Sequence, residues 1–385
     1  MTTSVPLLTR EQAERLPERS RAVVEYRKSG LSLNHIQGCP LDCAYCIRHT
    51  YGLWDQRQPR ALMSDAEAVE QLVSHRYFQP HVTPVQVLNR ATDPFLPSVR
   101  PHTLAVLADL DGRGLRNHVL VITRHQMKPS DIEQLNQLAN LKVTLLFTYS
   151  GIQDKRIEPY PSQVAADSLK LMSIPAHRKY RTILYWRPLV PGLNDSEEHL
   201  ARAYALSLIA DATVFTGLFY RNQVAQYYRA NGLPEPYECT ARRKIVPETL
   251  EQRVLEAFAG SASLFRKTSC AVSYVHRMPD YNGHYGIEEL CDICSVSQAG
   301  RCHSAHRVPS ADQIYQVARA LPEAEGIQVV DISERAAVVS GLNDEQPRYY
   351  LQHALGFQMH DVRHPHHVHR HGRAEIGWKD AARDD

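Results

Sequence analysis

The chain has 385 residues, a length that predicts two or three domains rather than one small core. Its 43% hydrophobic and 22% charged residues are typical of a globular protein, and no apolar run reaches the length of a membrane helix. The 44 basic and 42 acidic residues give a formal charge of +2, so composition alone does not require a polyanionic partner. Residues 1–20 contain charges but no apolar stretch. We therefore expect no secretory signal and a cytoplasmic protein without membrane contact.

Six short apolar runs predict strands, in chain order at 31–36, 85–88, 118–123, 141–148, 182–189 and 212–219. Amphipathic stretches between them predict helices, several beginning with a capping Ser, at 64–75, 101–110, 130–139, 162–172 and 196–208. Strands that alternate with helices indicate a parallel sheet with crossover helices. The pattern alone fits a partial barrel or an open doubly wound sheet. In both folds, ligands bind beyond the carboxyl ends of the strands.

The alternation of strands and helices ends near Tyr220, which predicts a change of organisation there. We expect four regions: an N-terminal extension at 1–30, the strand-helix core at 31–220, a cysteine-rich extension at 221–308 and a small α/β element with a tail at 309–385. The last region predicts, in order, a helix at 311–320, strands at 327–332 and 336–339, and a helix at 346–355. The tail contains five histidines and few apolar residues, which predicts a solvated segment. These histidines are His364, His366, His367, His369 and His371.

The eight cysteines fall mainly into two groups, which predicts two metal sites, because a cytoplasmic chain groups thiols for metals or catalysis. The first group, Cys39, Cys43 and Cys46, has C-x3-C-x2-C spacing and follows the first predicted strand. Three thiolates that hold an iron-sulfur cluster leave one iron open, and open metal positions are where chemistry occurs. Zinc normally takes four ligands, so His35 or His49 could instead complete a zinc site.

The loop with Cys39, Cys43 and Cys46, together with Tyr45 before its last cysteine, resembles the signature of the radical SAM superfamily. The resemblance extends to the branch typified by spore photoproduct lyase, through the stretches 91–95, 122–124, 157–159 and 187–195. It implies a partial (β/α)6 TIM-like barrel at 31–220, with the cysteine-rich extension and the terminal α/β element following it. It also implies a 4Fe-4S cluster that binds and reductively cleaves S-adenosylmethionine, giving a radical that abstracts a substrate hydrogen. An electron donor such as flavodoxin or ferredoxin is the implied partner.

Carried over to this chain, the resemblance implies a set of cofactor-binding residues. Thr92 and Asp93 would face the methionyl amino group, and Arg124, where the branch usually has Lys, would bind the methionyl carboxylate. The other expected cofactor-binding residues are Tyr45, Tyr149, Ser150, Glu158 and Arg187. Core packing is an equal expectation for Tyr149, and Glu158 could instead be a solvated loop acid.

The second group, Cys270, Cys291, Cys294 and Cys302, has C-x20-C-x2-C-x7-C spacing. Four thiolates suit a closed iron-sulfur cluster or a structural zinc. The resemblance implies an auxiliary cluster that takes or gives one electron, whereas zinc would only staple the extension. Three nearby histidines are alternative ligands or, as we rather expect, polar surface groups: His276, His303 and His306. Spore photoproduct lyase is not expected to have this group, so its reaction is not carried over.

Two further features past the sixth predicted strand bear on function. Cys239 is a candidate catalytic hydrogen-atom donor or, alternatively, a buried small hydrophobe. The run Arg242, Arg243 and Lys244 could meet a phosphate-bearing substrate or be a solvated helix end. We expect a radical SAM enzyme that acts on a small molecule, nucleoside or peptide. The sequence leaves open whether S-adenosylmethionine is consumed or regenerated. The alternatives are repair of photodamaged nucleic acid and a zinc-stapled binding protein without catalysis.

Overall fold

The computed structural model describes residues 5–241, 243–261, 263–363 and 373–374; Arg242 and the five tail histidines lie outside them. The helices are α1 (Arg10–Glu14), α2 (Glu18–Arg21), α3 (Asp65–Val73), α4 (Arg100–Gly112), α5 (Pro129–Gln137), α6 (Ser162–Ser173), α7 (Glu197–Ser207), α8 (Asn222–Ala230), α9 (Glu248–Ala257), α10 (Thr268–Val275), α11 (Glu288–Cys291), α12 (Val296–Ala305), α13 (Ala311–Ala318) and α14 (Gln346–Leu355), with 3-10 turns at Ile47–Tyr51 and Pro322–Ala324. In these ranges no helix has the length and apolar character that crossing a membrane requires.

The strands fall into one large sheet and three small ones. In chain order they are β1 (Val24–Arg27), β2 (Gly30–Leu33), β3 (Ile36–Gln37), β4 (Arg60–Ala61), β5 (Val85–Val87), β6 (His118–Thr123), β7 (Lys142–Tyr149), β8 (Arg181–Leu189), β9 (Ala212–Gly217), β10 (Lys244–Ile245), β11 (Leu264–Phe265), β12 (Gln328–Ile332), β13 (Ala336–Ser340), β14 (Gln358–Asp361) and β15 (Arg373–Ala374). The large sheet has the order β1-β2-β5-β6-β7-β8-β9-β11.

The large sheet confirms the α/β class, because β2, β5, β6, β7, β8, β9 and β11 are parallel and only β1 is antiparallel. Its strands follow one another in sequence order without a reversal, so it is not the doubly wound alternative. Among the described residues the edge strands β1 and β11 do not pair with each other, so closure into a TIM-like barrel stays a prediction. The first predicted strand divides into β2 and β3, and β3 pairs with β4 instead of the large sheet.

Alternate residues of the strands face two different layers, because successive side chains of a strand point to opposite faces. Val119 and Val121 of β6 belong to a hydrophobic cluster with the crossover helices. Leu120 instead packs with Ala271 and Val272 of α10 on the other face. The cysteine-rich extension thus covers one face of the sheet and adds β11 beside β9 at its edge.

The terminal α/β element packs against the start of the chain. Its predicted helices and strands are present as α13, β12, β13 and α14, and β14 completes a three-stranded sheet. On β1, the Tyr26 backbone N–H donates to Gln346 Oε1 at 2.8 Å, and the Tyr26 hydroxyl lies 2.7 Å from His353 Nδ1. Helix α14 is thereby held beside β1, where Tyr26 pairs with Leu31 near the amino end of β2.

Candidate functional site

The first cysteine group lies in a tight loop after β3. Gly38 has φ +103° and a Cβ there would lie 2.1 Å from the Gln58 carbonyl oxygen, so glycine lets the two backbones approach. Cys39 and Cys43 are buried, and Cys46 is half-buried. Burial raises the pKa of the Cys39 thiol to about 12 and raises that of Cys43 as well. Both thiols would release a proton on binding a metal, since a metal takes them as thiolates.

Arg48, which sequence reasoning missed, holds this loop in shape. Its guanidinium is fully buried, and Nη1 donates to the carbonyl oxygens of Cys39 at 2.7 Å and Gln56 at 3.0 Å. A buried cation that donates to backbone carbonyls orients both ends of the loop at once. The only signal in the sequence is the position of this arginine two residues after the last cysteine of the motif.

The histidines that could have completed a zinc site have other partners. The His49 ring stacks on Trp54 with centroids 3.8 Å apart, and burial lowers its pKa to about 4. His35 is buried, and its Nε2 lies 2.9 Å from Asp65 Oδ1. Within the described ranges, neither histidine belongs to a set of three ligand atoms that lie within 4.8 Å of one another.

Three of the predicted cofactor residues form a hydrogen-bonded group behind Cys43. Arg124 Nη1 donates to Glu158 Oε1 at 2.6 Å and to the Tyr45 hydroxyl oxygen at 2.8 Å. Tyr45 also hydrogen-bonds Glu158, and Cys43 Sγ donates to Glu158 Oε1 at 3.4 Å. Glu158 is only 3% exposed, so it is not a solvated loop acid. The role of Arg124 toward a methionyl carboxylate stays a prediction, since here its partner is Glu158.

Asp93 and Thr92 lie at the turn after β5. Asp93 Oδ1 accepts hydrogen bonds from Phe95 N at 2.9 Å and Thr123 Oγ1 at 2.6 Å, and Oδ2 accepts one from Arg124 N at 2.9 Å. Asp93 therefore ties this turn to the end of β6. Thr92 Oγ1 is buried and has no hydrogen-bond partner in the described structure. Its hydroxyl remains available to a ligand.

A cavity of about 1000 Å³ lies beside the cysteine loop, and Cys39, Cys43 and Cys46 line it together with Thr92, Asp93 and Arg124. Its far side is built by the turn between β1 and β2, by β10 and by the terminal element, which contribute Lys28, Lys244 and Arg348. Gly217 lets β10 cross the end of β9, because a Cβ there would lie 1.6 Å from the Ile245 carbonyl oxygen. The basic run therefore reaches the cavity with Arg243 and Lys244, and these two are not a solvated helix end.

The remaining predicted residues lie in different places. Arg187 lines the cavity with its guanidinium carbon 4.0 Å from the ring centre of Tyr185, a cavity residue that sequence reasoning missed. Tyr149 is not among the cavity-lining residues that the structure describes and packs in the hydrophobic core, where burial raises its pKa. Ser150 donates to Glu158 Oε2 at 3.1 Å, and neither residue reaches the described cavity lining. Cys239 is half-buried and also lies outside that lining.

The second cysteine group comes together from three helices. Cys270 lies on α10, Cys291 ends α11, Cys294 follows it and Cys302 lies on α12. Burial raises the pKa of the Cys270 thiol, and the charges of Asp280 and the other three cysteines raise it further. Burial and then Cys291 raise the pKa of Cys294 to about 12. No member of this group is among the described residues that line the cavity, although Ser269 beside Cys270 is.

A histidine and an aspartate missing from the sequence prediction accompany the second group. One ligand atom each of Cys270, Asp280 and His284 lies within 4.8 Å of the other two, and His284 Nδ1 is 2.9 Å from Asp280 Oδ2. The sequence signal is a pair four residues apart between the first two cysteines of this group.

The three histidines considered from the sequence instead have other partners. His276 Nε2 lies 2.9 Å from Thr144 Oγ1, and His306 Nε2 lies 2.7 Å from the Glu334 carbonyl oxygen. His303 pairs with the Tyr285 hydroxyl. The histidine beside the second group is therefore His284.

Comparison with known proteins gives distant structural similarities. No protein-family model matches the chain, and no curated protein sequence matches it. The chain is similar to Streptococcus suis SuiB bound to S-adenosylmethionine, with 11% identity and a TM-score of 0.43 over 66% of this chain and 54% of that one. It spans about half the length of that SuiB chain. It is also similar to a mutant of spore photoproduct lyase, with 11% identity and a TM-score of 0.46 over 69% of this chain and 87% of that one.

Proposed function

We propose that the chain is a radical SAM enzyme, in which Cys39, Cys43 and Cys46 hold a 4Fe-4S cluster and the adjoining cavity receives S-adenosylmethionine. The observation that carries the proposal is the position of three thiols on the wall of a cavity of about 1000 Å³, beyond the carboxyl ends of parallel strands. When bound, the cluster supplies the single electron that breaks the bond between the sulfur and C5′ of S-adenosylmethionine.

The donor set suits a cluster better than a single zinc ion. Tetrahedral zinc with Zn–S bonds of about 2.3 Å needs sulfur atoms about 3.8 Å apart. The sulfur atoms of Cys39, Cys43 and Cys46 do not all lie within 4.8 Å of one another in the described structure, and no histidine joins them. The partnerless Thr92 hydroxyl beside them offers a hydrogen bond to the bound molecule.

The residues behind the loop prepare the thiols for a metal. Cys43 must lose its proton on ligation, and Glu158 Oε1, 3.4 Å from its sulfur, is the group placed to accept it. Arg124 donates to the same oxygen and balances the buried carboxylate. Arg48 holds the backbone at Cys39, so the loop geometry does not depend on the metal alone.

Helix α8 and the segment after it shield the loop from water. Tyr227 packs against the His49 and Trp54 rings, with centroid distances of 4.6 and 4.9 Å. Ala44 and the partly buried Tyr45 lie in the same hydrophobic cluster as Tyr220 and Tyr228. A dry surrounding strengthens electrostatic interactions at the site and protects a reactive radical from side reactions.

For the second group we propose an auxiliary iron-sulfur cluster held by Cys270, Cys291, Cys294 and Cys302. Its role would be to take or give one electron, so that hydrogen abstraction becomes a net oxidation. The effect of the other three thiols on the pKa of Cys270 supports a metal site that all four share. As in the first group, no three of these sulfur atoms lie within 4.8 Å of one another in the described structure, which favours a cluster over zinc, the alternative occupant. A flavodoxin or ferredoxin is the proposed electron donor.

The proposal is tested by anaerobic reconstitution of the full chain with iron and sulfide, followed by reduction and measurement of 5′-deoxyadenosine formed from S-adenosylmethionine. We expect formation by the wild type and none by the Cys39/Cys43/Cys46→Ala variant. Cys239→Ala is the matched control, because Cys239 lies outside the described cavity lining, and it should still form 5′-deoxyadenosine. Zinc without iron in the purified chain, and no 5′-deoxyadenosine with any reductant, would overturn the proposal.

A further inference from the structure

The lining of the cavity is much more basic than the protein as a whole. Thirteen arginine and lysine residues line the cavity against four aspartate and glutamate residues, whereas the whole chain has a formal charge of only +2. The three thiolates of a cluster would offset three of these positive charges at most. Some of these cations pair with carboxylates just outside the lining, as Arg124 does with Glu158 and Arg363 with Asp361. The lining nevertheless presents a positive wall that suits an anionic ligand.

Four of these cations form a group that we call the cation pocket: Lys28, Arg243, Lys244 and Arg348. They come from three separate parts of the chain, namely the turn after β1, the β10 segment and helix α14. Burial, together with the charges of Arg348, Lys244 and Arg243, lowers the pKa of Lys28 to about 8, against the opposite effect of Glu345. All four side chains line the same cavity, and the charges of the other three act on Lys28 in the same direction.

Tyr185 reports the same positive potential from the sheet side of the cavity. Burial alone would raise the pKa of its phenol, but Arg187 and Lys244 lower it to about 7. Lys244 Nζ is 5.8 Å from the Tyr185 ring centre, and Thr268 Oγ1 donates to the Tyr185 hydroxyl at 3.1 Å. The positive field thus extends across the cavity from α14 to β8.

Bringing cations together in a partly buried wall costs free energy. Glu345 Oε2, 4.0 Å from Arg348 Nη2, offsets part of that cost, and a bound anion would offset more. Arg348 is 6% exposed and held by the Met359 carbonyl oxygen at 3.0 Å, so it cannot simply turn away into solvent. Arginine and lysine together suit phosphate, since the guanidinium donates two parallel hydrogen bonds and the ammonium acts as a point charge.

We propose that the cation pocket binds the phosphate group of a phosphorylated small-molecule substrate. The assignment of that molecule as substrate rests on the proposed function, but its binding does not. The terminal element walls the pocket with Arg348 and His360 opposite β8 and β10, which favours a compact ligand over a polynucleotide tracking along an open groove.

The test is isothermal titration calorimetry of the full chain with pyrophosphate, before and after iron reconstitution. We expect saturable binding in both states, weakened about tenfold or more by Lys244→Gln and by Arg348→Gln. Lys170→Gln is the matched control, because Lys170 is exposed on α6 outside the described lining, and it should change affinity less than about twofold. Circular dichroism shows whether the Arg348→Gln chain is folded. If it is misfolded, the affinity of the Lys244→Gln chain for pyrophosphate is the test of the proposal.

Two other probes delimit the ligand. Acetate that binds as tightly as pyrophosphate, or an oligothymidylate that binds more than about a hundredfold tighter with a steep salt dependence, would overturn the proposal. No pyrophosphate binding by the wild type would overturn it as well. A chain that binds pyrophosphate yet forms no 5′-deoxyadenosine would contradict the proposed function alone.

Discussion

The two cysteine groups differ in what surrounds them. Cys39, Cys43 and Cys46 lie in a loop that opens into the cavity, and their polar neighbours are Arg48, Arg124 and Glu158. The second group lies on α10 to α12, away from the described cavity lining, with Asp280 and His284 beside it. Three thiols facing open space leave room for a reactant, whereas four thiols packed among helices fill a coordination shell from the protein.

The two groups also lie close together in the chain's fold. Ser269 lines the cavity while the adjacent Cys270 belongs to the second group, so one wall separates the two sites. If the second group holds the proposed cluster, that cluster would be able to exchange electrons with the cavity without lining it.

The largest expected effect comes from removing each group in turn. The Cys39/Cys43/Cys46→Ala chain should form no 5′-deoxyadenosine yet retain about four irons, because the second group would keep its own cluster. The Cys291/Cys294→Ala chain should also retain about four irons while still cleaving S-adenosylmethionine. Iron analysis and product chromatography measure both. If the first variant retains zinc and no iron, the second site is structural and the proposed electron exchange is wrong.

A second test addresses how much the buried Arg48 stabilises the loop that contains Cys39, Cys43 and Cys46. Arg48→Gln should destabilise the chain by about 3 kcal/mol, because it leaves backbone carbonyls at Cys39 and Gln56 without their buried cationic donor. Arg57→Gln is the matched control: Arg57 also pairs with Asp42 and lies over Trp54, but its side chain is 41% exposed. Its cost should stay below about 1 kcal/mol in urea unfolding. Equal losses in the two variants would show that burial of Arg48 is unimportant.

The fold was predictable where the signal is local. The apolar run at 118–123 is β6 itself, because a strand buried on both faces needs apolar residues throughout. The two-residue strand β11 carries no such run, and its place in the sheet depends on pairing with β9 some fifty residues earlier in the chain. Pairing across such a separation leaves no periodic pattern in either segment.

The candidate site divides in the same way. The spacing of Cys39, Cys43 and Cys46 identifies the loop because all three ligands lie within one short segment. Lys28 and Arg348 meet at the cavity only because α14 packs against β1, and nothing within either segment indicates the other. His284 likewise became recognisable only beside Cys270.

A third test concerns the packing of the extension that carries the second group against the large sheet. His118 on β6 is 7% exposed and packs against His276 and Tyr281, which follow α10 in the extension. Burial lowers its pKa to about 3, so its contribution to stability is fully present above pH 6.5 and is lost as pH falls toward 3. Between pH 7.5 and 5, this loss should reach about 2 kcal/mol in urea unfolding. His118→Phe should remove it, while a substitution at exposed His177 should not; an unchanged pH dependence in His118→Phe would contradict the assignment.

The smallest expected effect concerns the field on the cavity side. With a pKa of about 7, Tyr185 should be mostly phenolate at pH 8, which ultraviolet difference spectroscopy detects as a signal missing from Tyr185→Phe. Lys244→Gln should raise that pKa by about one pH unit, since it removes one of the two cations that stabilise the phenolate. Lys170→Gln should leave it in place. Bound pyrophosphate should act in the same direction as Lys244→Gln, because an anion in the cation pocket cancels the field that Tyr185 senses. A Tyr185 that titrates near 10 in every chain would mean that the cations do not act on it. The positive charge of the cavity would then not distinguish the surroundings of the first cysteine group from those of the second.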